Sequence, residues 1–195
     1  MKLIKKYYGK IDSTRLFFDE NETALRLKTE RGYTNETIEK CKKELLKNVD
    51  CRYCAIKVEI EVIKDTVDFG DFMVKSSSLS KNLFGSNECY IFAVTLGNSV
   101  DRLLKKLSVI SLSEHYITDA LASALAECAA DLTEKEISST TDCKIRFSPG
   151  YGDFDIEKQA DVLKMLDAQK IIGVSLSKSF LMTPQKTITA IMGIK

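Results

Sequence analysis

The spacing of apolar positions changes several times along the chain, and each change marks an element. Over residues 34–49, Ile38, Cys41, Leu45 and Val49 recur every three or four positions among Glu36, Glu39, Lys40, Lys43 and Glu44. That spacing predicts a helix with one buried stripe, and Thr34 or Asn35 supplies a capping oxygen. Over residues 53–64 the period falls to two: Ile56, Val58, Ile60 and Val62 alternate with Lys57, Glu59 and Glu61. This predicts one strand whose charged side is wet, in an antiparallel sheet open to water on one face. Residues 69–74 are expected to form a short strand. Residues 76–85 should form a short helix, begun by serines and ended by Gly85.

The run 89–94 (CYIFAV) is apolar throughout and reads as a central strand. Asn98 is placed to cap a helix over 99–107, with Val100, Leu103, Leu104 and Leu107 on its stripe. The longest helical pattern covers 113–137, where Ile117, Leu121, Leu125, Cys128 and Leu132 repeat at helical spacing. Beside that stripe Asp119, Ser123 and Glu127 share a face, either a solvated edge or one turned to a ligand. Asp155 should cap a helix reaching residue 166 that buries Ile156, Ala160, Leu163 and Leu166, and Gly173 ends the pattern. Residues 174–182 and 187–192 read as two strands joined around Pro184 in a hairpin-like pair. The first 33 residues show no clear period, although Leu16 to Phe18 and Ala24, Leu25 and Leu27 call for burial and Gly32 could end a short helix. Helices and strands mix without regular βαβ alternation, so an α+β fold with a mainly antiparallel sheet is predicted, as one domain over 1–195.

Composition narrows the function classes. Twenty-nine basic against 28 acidic residues leave a net charge of +1, so no bulk attraction to nucleic acid or an anionic membrane is expected. No apolar run approaches the roughly 20 residues of a membrane helix. The first six residues, MKLIKK, lack the apolar centre of an export signal. The six cysteines are then expected as free thiols in a reducing cytoplasm. Cys51 and Cys54 have CxxC spacing, but the chain has one histidine, His115, and a strand rather than a helix follows the pair. Structural thiols are the simpler reading. Neither GxGxxG, a P-loop, HExxH nor GxSxG occurs, which disfavours a Rossmann-type methyltransferase.

Chemistry concentrates at Arg146-Phe147-Ser148-Pro149-Gly150-Tyr151-Gly152. On residues alone this is first of all a Pro-Gly turn with a surface arginine and a packed tyrosine. It also carries the parts of a ligand loop: a guanidinium fork, glycines that bare the backbone, and an aromatic face. Arg146-x-x-Pro149-Gly150-Tyr151, followed by LDAQKIIGVSL (166–176), SFLMTP (179–184) and TITAIMG (187–193), resembles the activation domain of cobalamin-dependent methionine synthase, in its short free-standing bacterial form. The likeness is strongest over 143–193, looser over 88–130, and slight before that.

The resemblance implies an accessory activation subunit that binds S-adenosylmethionine and is not active alone. It would dock on the cobalamin-binding chain of a methionine synthase, or on another corrinoid protein. A flavodoxin-like or other low-potential donor would reduce cob(II)alamin, and cob(I)alamin would then take the methyl group from S-adenosylmethionine. By the same resemblance Arg146 holds the ligand carboxylate, Ser148 and Gly150 meet the ligand through backbone, and Tyr151 packs on it. Where the fused enzymes carry acidic contacts, Ser123 and Thr140 stand here, with Glu127 and Asp142 as nearby substitutes. No side chain is assigned proton transfer, and no metal belongs to the chain itself. A corrinoid-protein clamp that no longer binds S-adenosylmethionine is the alternative.

Overall fold

The computed structural model describes residues 3–27 and 34–195, so the helix end expected at Gly32 lies outside the described residues. Four strands form the main sheet: β1 (Leu3–Lys10), β2 (Arg52–Glu59), β6 (Glu88–Thr95) and β9 (Thr187–Gly193). Their order is β1-β2-β6-β9, with every pair antiparallel. Between β2 and β6 the chain makes a small sheet of β3 (Glu61–Ile63), β4 (Thr66–Asp68) and β5 (Met73–Lys75), then α3 (Ser77–Leu83). The helices α1 (Glu20–Leu27), α2 (Asn35–Asn48), α4 (Asn98–Ile110) and α5 (Leu112–Ser138) complete one layer. After α5 come an irregular segment, α6 (Gln159–Met165), α7 (Ala168–Ile172), and the short strands β7 (Ser175–Leu176) and β8 (Met182–Thr183).

The predicted helix at 34–49 forms with Thr34 as its cap and Cys41 and Leu45 buried. The apolar run at 89–94 becomes β6, which is interior to the sheet, with seven of its eight residues buried. Such a strand must be covered on both faces, and it is. Ala55, Tyr90, Phe92, Val94, Ala190 and Met192 pack against residues of α2, α4 and α5. Cys54, Ile56, Val58, Ile91, Ala93 and Ile191 pack against residues of α3, α6, α7 and the small sheet. The expected water-facing side of the sheet is therefore wrong. Lys57 suggested it, but this lysine is only half-buried at the sheet end, paired with Glu88 at 2.6 Å.

Other differences have local causes. The strand expected over 53–64 divides at Ile60, because β6 begins at Glu88 and offers no partner beyond the Glu59↔Glu88 pair. Residues 69–72 are a turn between β4 and β5 rather than a strand, closed by Phe69 N–H donating to Phe72 O at 3.0 Å. Gly97, at φ 90°, caps α4 in place of Asn98; a Cβ there would lie 3.0 Å from the Asp50 carbonyl oxygen, so only glycine passes. Asp155 caps a 3₁₀ turn, Ile156–Lys158, ahead of α6. That tighter turn shifts the helical phase, so Gln159, Val162, Leu163 and Leu166 are buried while Ile156 and Ala160 are exposed. The C-terminal hairpin is β7 with β8, whereas β9 leaves it to pair with β6.

Cys51 and Cys54 go to opposite faces of the sheet, one into each core. Burial pushes each thiol up to about 12. Among the described residues, no helix is long and apolar enough to cross a membrane.

Candidate functional site

Residues 143–147 run antiparallel beside β9 as an irregular edge. Phe147 N–H donates to Ile191 O, and Ile191 N–H to Phe147 O, each at 2.9 Å. Phe147 turns into the core of α3 and α6, where it lies parallel to Phe154 at 6.3 Å between centroids. Arg146, its neighbour, projects toward α5. There Nη1 donates to Asp131 Oδ1 at 2.6 Å and to Glu134 Oε1 at 2.5 Å, and Nη2 donates to Glu127 Oε2 at 2.8 Å. Half-burial works against the guanidinium charge, but its hydrogen bonds to Asp131, Glu134 and Glu127 hold its pKa above the ordinary value. The other oxygen of Glu127 faces Arg26 of α1 at 3.7 Å.

The loop that follows is pinned at both ends. Gly150, at φ 92°, donates its N–H to Phe154 O at 2.7 Å. Asp153 accepts from Ser76 Oγ at 2.6 Å, Ser77 N at 2.8 Å and Ser78 N at 3.0 Å, which secures the loop to the start of α3. These bonds, the Ser76 hydroxyl first, hold its carboxyl well below the usual range. The contact requires glycine at 152: φ is 55°, and a Cβ would stand 2.7 Å from Ser78 Oγ. Tyr151 is left 60% exposed, with its ring edge-on to Phe147.

The loop, α5 and β9 enclose a cavity of about 610 Å³. Glu127, Arg146, Ser148 and Tyr151 line it, together with Glu134, Gln159 and Thr189. Gly150 shapes the turn without lining the cavity. Gln159 is buried at 2% exposure, and its amide exchanges hydrogen bonds with the Thr189 hydroxyl at 2.7 and 3.0 Å. Asp142 is not brought to the site; it pairs instead with Lys195 Nζ at 3.0 Å. Ser123 accepts from Lys186 Nζ at 2.9 Å, which also pairs with Asp119 at 2.7 Å, so the first half of that helix face is occupied by a lysine. Thr140 is exposed beyond the end of α5.

Asp131 and Glu134 escape the sequence reading, although a signal exists. The spacing of Asp119, Ser123 and Glu127 simply continues to Asp131 and Glu134 on the same helix face. Asp153 and Gln159 carry no comparable signal, since their partners are 75 to 77 and 30 residues away.

Chemically, the cavity wall offers an excess of carboxylate over guanidinium, an exposed aromatic face and a fixed amide. Three of the five N–H donors of Arg146 are engaged by α5, and the other two meet no acceptor among the described residues. That set suits a zwitterionic ligand with surplus positive charge. A volume of this size lies within the roughly 300–1,000 Å³ typical of small-molecule sites.

A family model described as "Vitamin B12 dependent methionine synthase, activation domain" matches residues 33–194. The chain is similar in fold to a solved structure described as "Crystal Structure of the MetH Reactivation Domain bound to AdoHcy". The TM-score is 0.72 at 16% identity, over 98% of this chain and 78% of that one. A comparison with curated proteins finds no match. The α+β architecture agrees with that likeness in fold.

Proposed function

We propose that this chain, which belongs to the vitamin B12-dependent methionine synthase activation-domain family, binds S-adenosylmethionine between the 146–151 loop and α5. It would present the methyl group to a cobalamin held by a partner protein. The observation that carries this reading is the setting of Arg146: one guanidinium among Glu127, Asp131 and Glu134 on the wall of a cavity edged by Tyr151. S-adenosylmethionine has two cationic groups, an ammonium and a sulfonium, and one carboxylate. The acidic excess matches the first two, and the free N–H groups of Arg146 match the third. The exposed Tyr151 ring supplies a face for the sulfonium or the base. The similarity to a reactivation domain described as bound to AdoHcy supports the same ligand class.

Cobalamin, when bound on the partner, supplies the nucleophile, and a low-potential donor of flavodoxin type supplies the electron that restores it. This chain positions the methyl donor and transfers no proton. The pinned turn at Gly150 and Gly152 holds the loop backbone in place before the ligand arrives, which lowers the ordering cost of binding.

The engagement of Arg146 by three carboxylates also suits a clamp that has given up its ligand. Calorimetric titration of the purified chain with S-adenosylmethionine, and with S-adenosylhomocysteine for comparison, separates the two. Saturable binding near one site per chain is expected. Absence of binding at millimolar ligand overturns the reading.

A further inference from the structure

β9 is an outer strand of the main sheet, and only part of its free edge is covered. The segment 143–147 runs along that edge: Lys144 N–H donates to Gly193 O, and Phe147 exchanges both backbone bonds with Ile191. Gly193 and Ile191 therefore turn their backbone groups outward, and the two-residue period of a strand gives Thr189 and Thr187 the same direction. The even-numbered residues face the other way, as Lys186 O does in accepting from Leu96 N–H at 3.0 Å. Beyond Phe147 the cover ends. Among the described residues, none hydrogen-bonds the backbone N–H or C=O of Thr189 or of Thr187 on that side. Both residues are nonetheless buried, at 2% and 7% exposure, and both line the 146–151 cavity. Their hydroxyls are engaged elsewhere, that of Thr189 with Gln159 and that of Thr187 with Thr95 and Pro184. Buried backbone groups of folded proteins are nearly always paired, so the partner of these must come from the cavity.

We propose that this open edge reads the adenine of the ligand: Thr189 N–H donates to a ring nitrogen, and Thr189 O accepts from the amino group beside it. The inference rests on the reading of the cavity as a S-adenosylmethionine site. Of that ligand's parts, the carboxylate only accepts, the ammonium only donates and the sulfonium does neither. The pairing edge of adenine sets an acceptor next to a donor, which is what one outward-facing strand residue calls for. The ribose hydroxyls can do both, but the walls beside Thr189 suit a flat apolar ring, since Ile156, Ile188 and Met182 line the cavity with it. A free edge of two such residues is also short for an added peptide strand, which usually runs at least about three residues. Thr189 lies two residues along β9 from the Ile191–Phe147 bridge, about 7 Å at strand rise, and Arg146 adjoins that bridge. The ligand then lies along β9, with its carboxylate at Arg146 and its base toward Met182.

Amide spectra of the full chain carrying isotope-labelled threonine, titrated with S-adenosylhomocysteine, test this. Thr189→Ser identifies the Thr189 signal and keeps its hydroxyl. In the wild type that amide should shift as the ligand saturates, and its hydrogen exchange should slow. S-inosylhomocysteine has a ring N–H where adenine has an acceptor and a carbonyl where it has the amino group. It should bind on the order of 100-fold more weakly, because both hydrogen bonds become repulsive contacts. Calorimetric binding of S-adenosylhomocysteine with an unmoved Thr189 amide overturns this inference and leaves the reading of the cavity standing. So does equal affinity for the two compounds. Absence of binding by either overturns both.

Discussion

Arg146 pairs with three carboxylates of α5, of which Glu127 and Glu134 line the cavity. Its removal acts twice, by losing a charge-paired ligand contact and by leaving those acids without their cation. Arg146→Ala should weaken S-adenosylmethionine binding by roughly 2–4 kcal/mol. Arg146→Lys should fall between, since a lysine keeps the charge but not the fork. Calorimetry, with Tm of the same variants, checks both, and unchanged affinity in a folded Arg146→Ala refutes the assignment. Asp153 gives a pH test. Its folded carboxyl is depressed by Ser76, Ser78 and Ser77, so its contribution is present above the unfolded value of about 3.9 and is lost as pH falls through the folded one. The Tm gap between the wild type and Asp153→Asn should be widest at neutral pH and should close on acidification below about pH 4. A gap that widens in acid contradicts this.

At the scale of elements, the 146–154 loop is held by backbone that approaches too closely for a side chain. Gly152→Ala sets a Cβ in the left-handed region and 3.0 Å from Ser78 Cβ. A loss of about 1–3 kcal/mol in urea unfolding is expected, together with weaker ligand binding as the loop leaves α3. Most elements were legible from their own spacing, as α2, α3, β6 and α5 show. The errors fall where a neighbour decides. Residues 53–64 alternate throughout, yet β2 ends at Glu59 because β6 supplies no further partner. Residues 187–192 read as half of a hairpin, yet β9 pairs with β6, about a hundred residues earlier in sequence.

For the whole molecule, the match to the family begins at residue 33, but the fold draws on what precedes it. β1 pairs along β2, and Ile11, Leu16 and Leu27 are buried in the core of α2, α4 and α5. A chain cut to residues 34–195 forfeits those three side chains, roughly 5–9 kcal/mol at about 1.5–3 kcal/mol each. A typical domain has only about 5–15 kcal/mol in total. The shortened chain should therefore lose its cooperative urea transition, and a sharp transition at the wild-type midpoint contradicts that expectation. The sequence by itself determined the helices and strands with strong periods, the loop at 146–152 with its family likeness, and four of the side chains that line the cavity. Period and turn chemistry act over a few residues, so they can be read locally. Only the tertiary structure decided that both faces of the sheet are covered. It also decided that Asp131 and Glu134 join Glu127 around Arg146, and that Asp153 ties the loop to a helix 75 residues away. Those contacts join residues far apart in sequence, and no local spacing encodes which distant charge a side chain will meet.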